Sequence, residues 1–144
     1  LILKNIKKYY KLGNFERNNL IKALLTSIKV RILIKFFSTS FYANKIGKQG
    51  INTSQNTFNE NTVKTVLKNV KRVSKYSFWR TNCFEEALTT KLLLKKLDIE
   101  STIYFGVLKN EQQKLKAHAW LKIGDKFIIG QKNSEKFTIT NFFT

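Results

Sequence analysis

The stretch TNCFEEALTTKLLLKKLDIESTIYFGVLK, residues 81–109, decides the fold. Its first half gathers Ala87, Leu88, Leu92, Leu93 and Leu94 in a run of helical length, and its last nine residues, STIYFGVLK, alternate as a strand. Asn82 suits the helix N-cap, with Glu85 three residues on, the spacing at which side chains satisfy backbone N–H groups that the first turn leaves unpaired. Cys83, the only cysteine in the chain, then falls on the first helical turn. A helix this rich in leucine is expected to be buried against a sheet.

Downstream, a polar turn around Asn110 to Gln113 leads to KAHAWLKI (116–123), a turn on Gly124 and Asp125, and KFIIGQ (126–131), a β-hairpin. Upstream, NTVKTVLKNVKRVSKY (61–76) sets Val63, Val66, Leu67, Val70 and Val73 on one helical stripe and turns Lys64, Lys68, Lys71 and Arg72 elsewhere. The polar, glycine-bearing segment 47–60 reads as a linker. Before it, NNLIKALLTSIKVRILIKFF (18–37) spaces Leu20, Leu24, Ile28 and Ile32 four residues apart, with Ile21 and Leu25 alongside, in a basic amphipathic helix. Lys22, Lys29, Arg31 and Lys35 interrupt it too often for a membrane span, which needs about 20 nearly uncharged residues. Docking onto the domain or a partner is the favoured reading, and association with an anionic lipid surface is the alternative. Helices followed by at least three strands predict an α+β fold, divided into a helical extension and linker (1–60) and a main domain (61–144).

With 144 residues, 42% hydrophobic and 25% charged, the composition is that of one globular domain. A single cysteine excludes an internal disulfide, no signal-peptide pattern stands at the N-terminus, and a reducing cytoplasm is the expected home. The net charge of +18 would ordinarily suggest nucleic acid. Here the lysines are spread along the chain among many Asn and Ile, as AT-rich codon usage would produce, so nucleic-acid binding is not expected. A cationic surface would still attract an acidic peptide.

The chemistry-bearing residues are few. A helix N-terminus stabilises a thiolate through unpaired N–H groups and the positive end of the dipole, and Cys83 is placed for that. His118, the only histidine, lies on a strand expected beside that helix and is the only imidazole available as base and acid. Cys83 is equally at home as a small buried hydrophobe. One Cys with one His is too small a set for zinc, and no cofactor is expected. A third group should orient the imidazole. If Ile123 pairs with Lys126, stepping outward brings His118 opposite Gln131, about 5 Å away. Asp125 has the better chemistry but sits at the tip of the turn, and Asn133 takes the place if a bulge shifts the register.

At NCFEEALTTKLLLKKLDIESTIYFGV and KAHAWLKIGDKFIIG the sequence resembles the transglutaminase-like leader peptidases of lasso-peptide biosynthesis, related to the C-terminal domain of the microcin-processing enzyme McjB. The resemblance covers roughly residues 62–131. It implies a transglutaminase-like, papain-like cysteine peptidase core with Cys83 as nucleophile and His118 as general base and acid. It also implies a precursor leader peptide as substrate, with a small leader-recognition protein and an ATP-dependent cyclase as partners. The chain departs from the family pattern at Lys122, where a glutamate is common, and at Gln131, where an acidic third member is expected. No phosphate-binding glycine loop of Walker type is present, so nucleotide chemistry is not expected here.

Overall fold

The computed structural model describes residues 10, 12–38, 41, 43, 46–51, 57–77, 79, 81–109 and 113–144. Among the described residues, three long helices, α1 (Asn14–Phe36), α2 (Glu60–Tyr76) and α3 (Cys83–Lys95), precede four strands, β1 (Thr102–Lys109), β2 (Leu115–Ile123), β3 (Lys126–Ile129) and β4 (Thr138–Phe143). The strands form one antiparallel sheet in the order β3-β2-β1-β4, with a short 3-10 turn, Ser134–Lys136, leading into β4. The fold is α+β. Most of the turn expected at Asn110 to Gln113, and the middle of the linker expected at 47–60, lie outside the described residues.

α2 begins at Asn59, whose Oδ1 accepts from the Thr62 amide at 3.1 Å, and buries Val63, Val66, Val70 and Val73. Valine costs at most about 0.7 kcal/mol of helix propensity per residue, whereas burying its side chain gains about 1.5–3 kcal/mol. Packing therefore decides that this β-branched segment is helical.

α1 differs from a simple amphipathic helix. Its fully buried residues are mostly small, Ala23, Thr26, Ser27 and Val30, which let it lie close to α2 and α3, and the partly buried Leu20, Leu33 and Ile34 pack against the core beside them. Ala23 and Val30 share one core with the α2 valines, Ala87, Leu88 and Leu94 of α3, and Ile103, Ala119, Leu121, Ile123 and Phe143 of the sheet. Ile21, Leu24, Leu25, Ile28 and Ile32 fall on the opposite side and are exposed. No helix among the described residues is long and apolar enough to cross a membrane.

Strand alternation gives the sheet two distinct faces. Ile103, Phe105, Ala119, Leu121, Ile123 and Phe143 face the helices, and the Phe84 ring of α3 packs on Phe105 at 4.9 Å. Tyr104, Trp120 and Phe142 form a stacked aromatic row on the other face, with centroids 5.8 and 5.5 Å apart. Trp120 needs room there. A Cβ on Gly106 would stand 2.8 Å from the indole Cη2 and 2.9 Å from Phe137 Cβ, so only glycine fits at that position.

Candidate functional site

Cys83 is the first residue of α3 and is half-buried. Asn82 caps the helix as its sequence requires: Oδ1 accepts from the Glu85 amide at 2.8 Å. The reciprocal half of the expected capping pair is not what Glu85 serves. Its carboxylate, 8% exposed, instead accepts from Arg31 of α1 at 3.0 Å. Arg31 also lies over the Trp79 ring, 5.7 Å from its centroid. Glu86 accepts from the Ser74 hydroxyl of α2. The first turn of the cysteine helix is thus tied to α1 and α2, and its two carboxylates sit at the positive end of the helix dipole.

His118 lies at the middle of β2, opposite Gly106 in β1. Its ring is half-buried against Phe137 at 5.1 Å and Trp120 at 5.8 Å. Nε2 is 2.9 Å from the Gly130 carbonyl oxygen. A carbonyl oxygen can only accept, so Nε2 carries the hydrogen, and in the neutral ring Nδ1 keeps its lone pair. That is the tautomer a general base needs, and the group that fixes it is a main-chain carbonyl.

The hairpin register explains why this partner was not the one expected. Ile123 pairs with Lys126 and Lys122 with Phe127, but a bulge between Leu121 and Lys122 then pairs Leu121 with Ile129. One extra residue in β3 shifts everything outward by one position, so His118 does not face Gln131. Gln131 is exposed, and its carbonyl oxygen accepts from the Ser134 amide at 3.1 Å and hydroxyl at 2.9 Å. Asn133, at φ 62°, occupies the left-handed position before the 3-10 turn and is exposed, and Asp125 is exposed in the hairpin turn. Lys122 places its ammonium 4.2 Å from the Phe127 centroid and 5.8 Å from that of Tyr104.

Phe84 rests on Phe105, and Gly106 beside it is paired with His118, so Cys83 and His118 occupy the same end of the contact between α3 and the sheet. They are not joined. α3 covers the face bearing Ala119 and Leu121, while His118 turns with Trp120 toward the other face, and no hydrogen bond among the described residues links thiol and imidazole. Neither the cavity beside Lys91 and Thr144 nor the groove between α1 and α2 is lined by Cys83 or His118. Among the described residues, no group of three or more His, Cys, Asp or Glu is arranged to hold a metal ion.

A second polar feature lies in α3. Lys91, 2% exposed, donates from Nζ to the Ser101 carbonyl. Burial, with the charge of Lys95 adding and Glu100 opposing, lowers its pKa to about 8. The sequence signal was present, a lysine inside the run TTKLLL, but a helical lysine is so often solvated that its spacing carries little information.

Comparison with known proteins supplies one finding. A profile of the transglutaminase-like superfamily matches residues 26–141, from the middle of α1 to β4. No curated protein and no solved structure matches the chain.

Proposed function

Since this chain belongs to the transglutaminase-like superfamily, which includes cysteine peptidases and acyltransferases, we propose that it is a cysteine peptidase that removes the leader from a ribosomally made precursor peptide in lasso-peptide maturation. The observation that supports the reading is the setting of each group by itself: a thiol at the capped N-terminus of α3, and an imidazole whose tautomer is set by Gly130 O. In this reading the Cys83 thiolate attacks the carbonyl carbon at the leader–core junction. A C–S bond forms, the oxyanion is held by N–H groups at the helix start, and the C–N bond breaks as His118 gives its proton to the leaving amine. Water, deprotonated by His118, then splits the thioester and releases the leader as a free acid. The reading requires the imidazole and the thiol to meet when peptide is bound. The precursor leader, a small leader-recognition protein and an ATP-dependent cyclase acting on the new core N-terminus are the partners it entails.

Product mass and a cysteine variant test this. Incubated with a leader-bearing precursor and the leader-recognition protein, the wild type should yield a leader ending in a free acid, and Cys83→Ala should bind but not cut. An amide product formed with added amine would replace the peptidase by an acyl transferase. Unchanged function in Cys83→Ala would favour a binding module without catalysis. The specific observation on the side of that second reading is the separation of His118 from Cys83 by the sheet face.

A further inference from the structure

We infer that the outer face of α1 is a docking surface for anionic phospholipid, on which the protein lies without inserting a span. α1 is apolar on two opposite sides. The small-residue side is consumed by the core, and the side made of Ile21, Leu24, Leu25, Ile28 and Ile32 is left in solvent, each residue at least 37% exposed and Leu25 61%. These five side chains form a stripe three turns long, about 16 Å. The stripe lies opposite the docked side, where Leu20, Leu33 and Ile34 already pack against the core beside the small residues, and a contiguous exposed patch of large aliphatic residues marks an interaction surface.

The charge around the stripe identifies the occupant. α1 and α2 together hold ten basic residues (Arg17, Lys22, Lys29, Arg31, Lys35, Lys64, Lys68, Lys71, Arg72 and Lys75) against two acidic ones, Glu16 and Glu60. Both acids are already paired, Glu16 with Lys68 at 3.4 Å and Glu60 with Lys64 and Lys126. Lys22 and Lys29 flank the stripe on one side. On the other a groove of about 600 Å³ between α1 and α2 is floored by Leu20, Leu24 and Val73 and rimmed by Lys71, Arg72 and Lys75. Two copies meeting through this face would press like charges together, which disfavours a homodimer. A bilayer with anionic headgroups accepts the exposed apolar stripe at the acyl boundary and meets the lysines with phosphates.

The test is sedimentation of the intact protein with vesicles of phosphatidylcholine, with and without about one third phosphatidylglycerol. Binding should be at least about tenfold tighter to the anionic vesicles and weaken with salt. Leu25→Asp with Ile32→Asp, both on the exposed side and outside the core, should reduce it about tenfold or more at unchanged thermal stability, whereas Cys83→Ala should bind as the wild type. Failure to bind anionic vesicles would overturn the inference. So would undiminished binding by the Asp variant, which would indicate only nonspecific adsorption of a cation. Concentration-dependent self-association abolished by the same variant would instead assign the face to a second copy, and binding of an acidic protein but not vesicles would assign it to a protein partner. Lipid binding is read without substrate, so its failure is distinct from failure of the peptidase reading.

Discussion

Replacing Lys91 with methionine should remove a defined segment of the dependence of stability on pH. Lys91 is 2% exposed, and burial lowers its pKa from 10.5 to about 8. Between those two values the unfolded chain binds a proton at this position that the folded protein has released, so stability rises with pH across the window. Below about pH 8 the folded state carries a buried ammonium, and its cost is fully present. The shift, 10.5 less about 8, is about 2.5 units, and at 1.36 kcal/mol per unit the gain on crossing the window is about 3 kcal/mol. Methionine keeps the length and removes the charge. At neutral pH it relieves that cost but strands the Ser101 carbonyl, a loss of about 1–3 kcal/mol, so wild type and variant should have similar stability there. Urea unfolding of both proteins from about pH 7 to about pH 10.5 separates Lys91 from every other titrating group, because only the difference between the curves is read. The wild type should gain on Lys91→Met by about 3 kcal/mol by the upper end. Parallel curves would refute the argument that burial holds this ammonium at a cost.

Other perturbations act nearer the candidate site. Arg31→Met removes the cation from a carboxylate that is 8% exposed and detaches α1 from the first turn of α3. A loss of about 1–3 kcal/mol in urea unfolding is expected, less than for a fully buried pair because Arg31 is itself 39% exposed, and Arg31→Met with Glu85→Gln should recover part of it. Gly130→Ala forces a Cβ to 2.6 Å from the Ala119 carbonyl oxygen at φ +77°. It should cost about 1–3 kcal/mol and move the carbonyl that fixes His118, which imidazole ¹⁵N chemical shifts would report as loss of the Nε2–H tautomer.

Much of the architecture was legible because it rests on local signals. The cap at Asn82, the buried valines of α2 and the Ile123–Lys126 turn pair all follow from residue type and short spacing. What escaped depends on contacts made by the folded chain. The bulge beside Leu121 has no residue signature in LKIGDKFIIG, and it takes Gln131 out of register with His118, whose Nε2 bonds the Gly130 carbonyl. A main-chain acceptor cannot be found by searching for side chains that could orient an imidazole. α1 misleads in another way: most of its apolar spacing, Leu24, Ile28 and Ile32, marks the face that stays exposed, while the fully buried positions are Ala23, Thr26, Ser27 and Val30, residues too small to dominate a hydrophobic pattern. β4 was not singled out either, although TITNFF completes the sheet by pairing with β1 and stacks Phe142 on Tyr104.

The central claim is that Cys83 and His118 act as a couple once peptide is bound, and the rate of iodoacetamide alkylation of Cys83, with and without precursor peptide, tests it. Measured against pH in wild type and His118→Ala, alkylation in the presence of precursor peptide should be fast at neutral pH only when the imidazole is present, and Gly130→Ala should slow it in part. Equal rates with and without His118, across the whole pH range and with precursor peptide added, would contradict the couple and leave Cys83 as a core residue at the start of a buried helix.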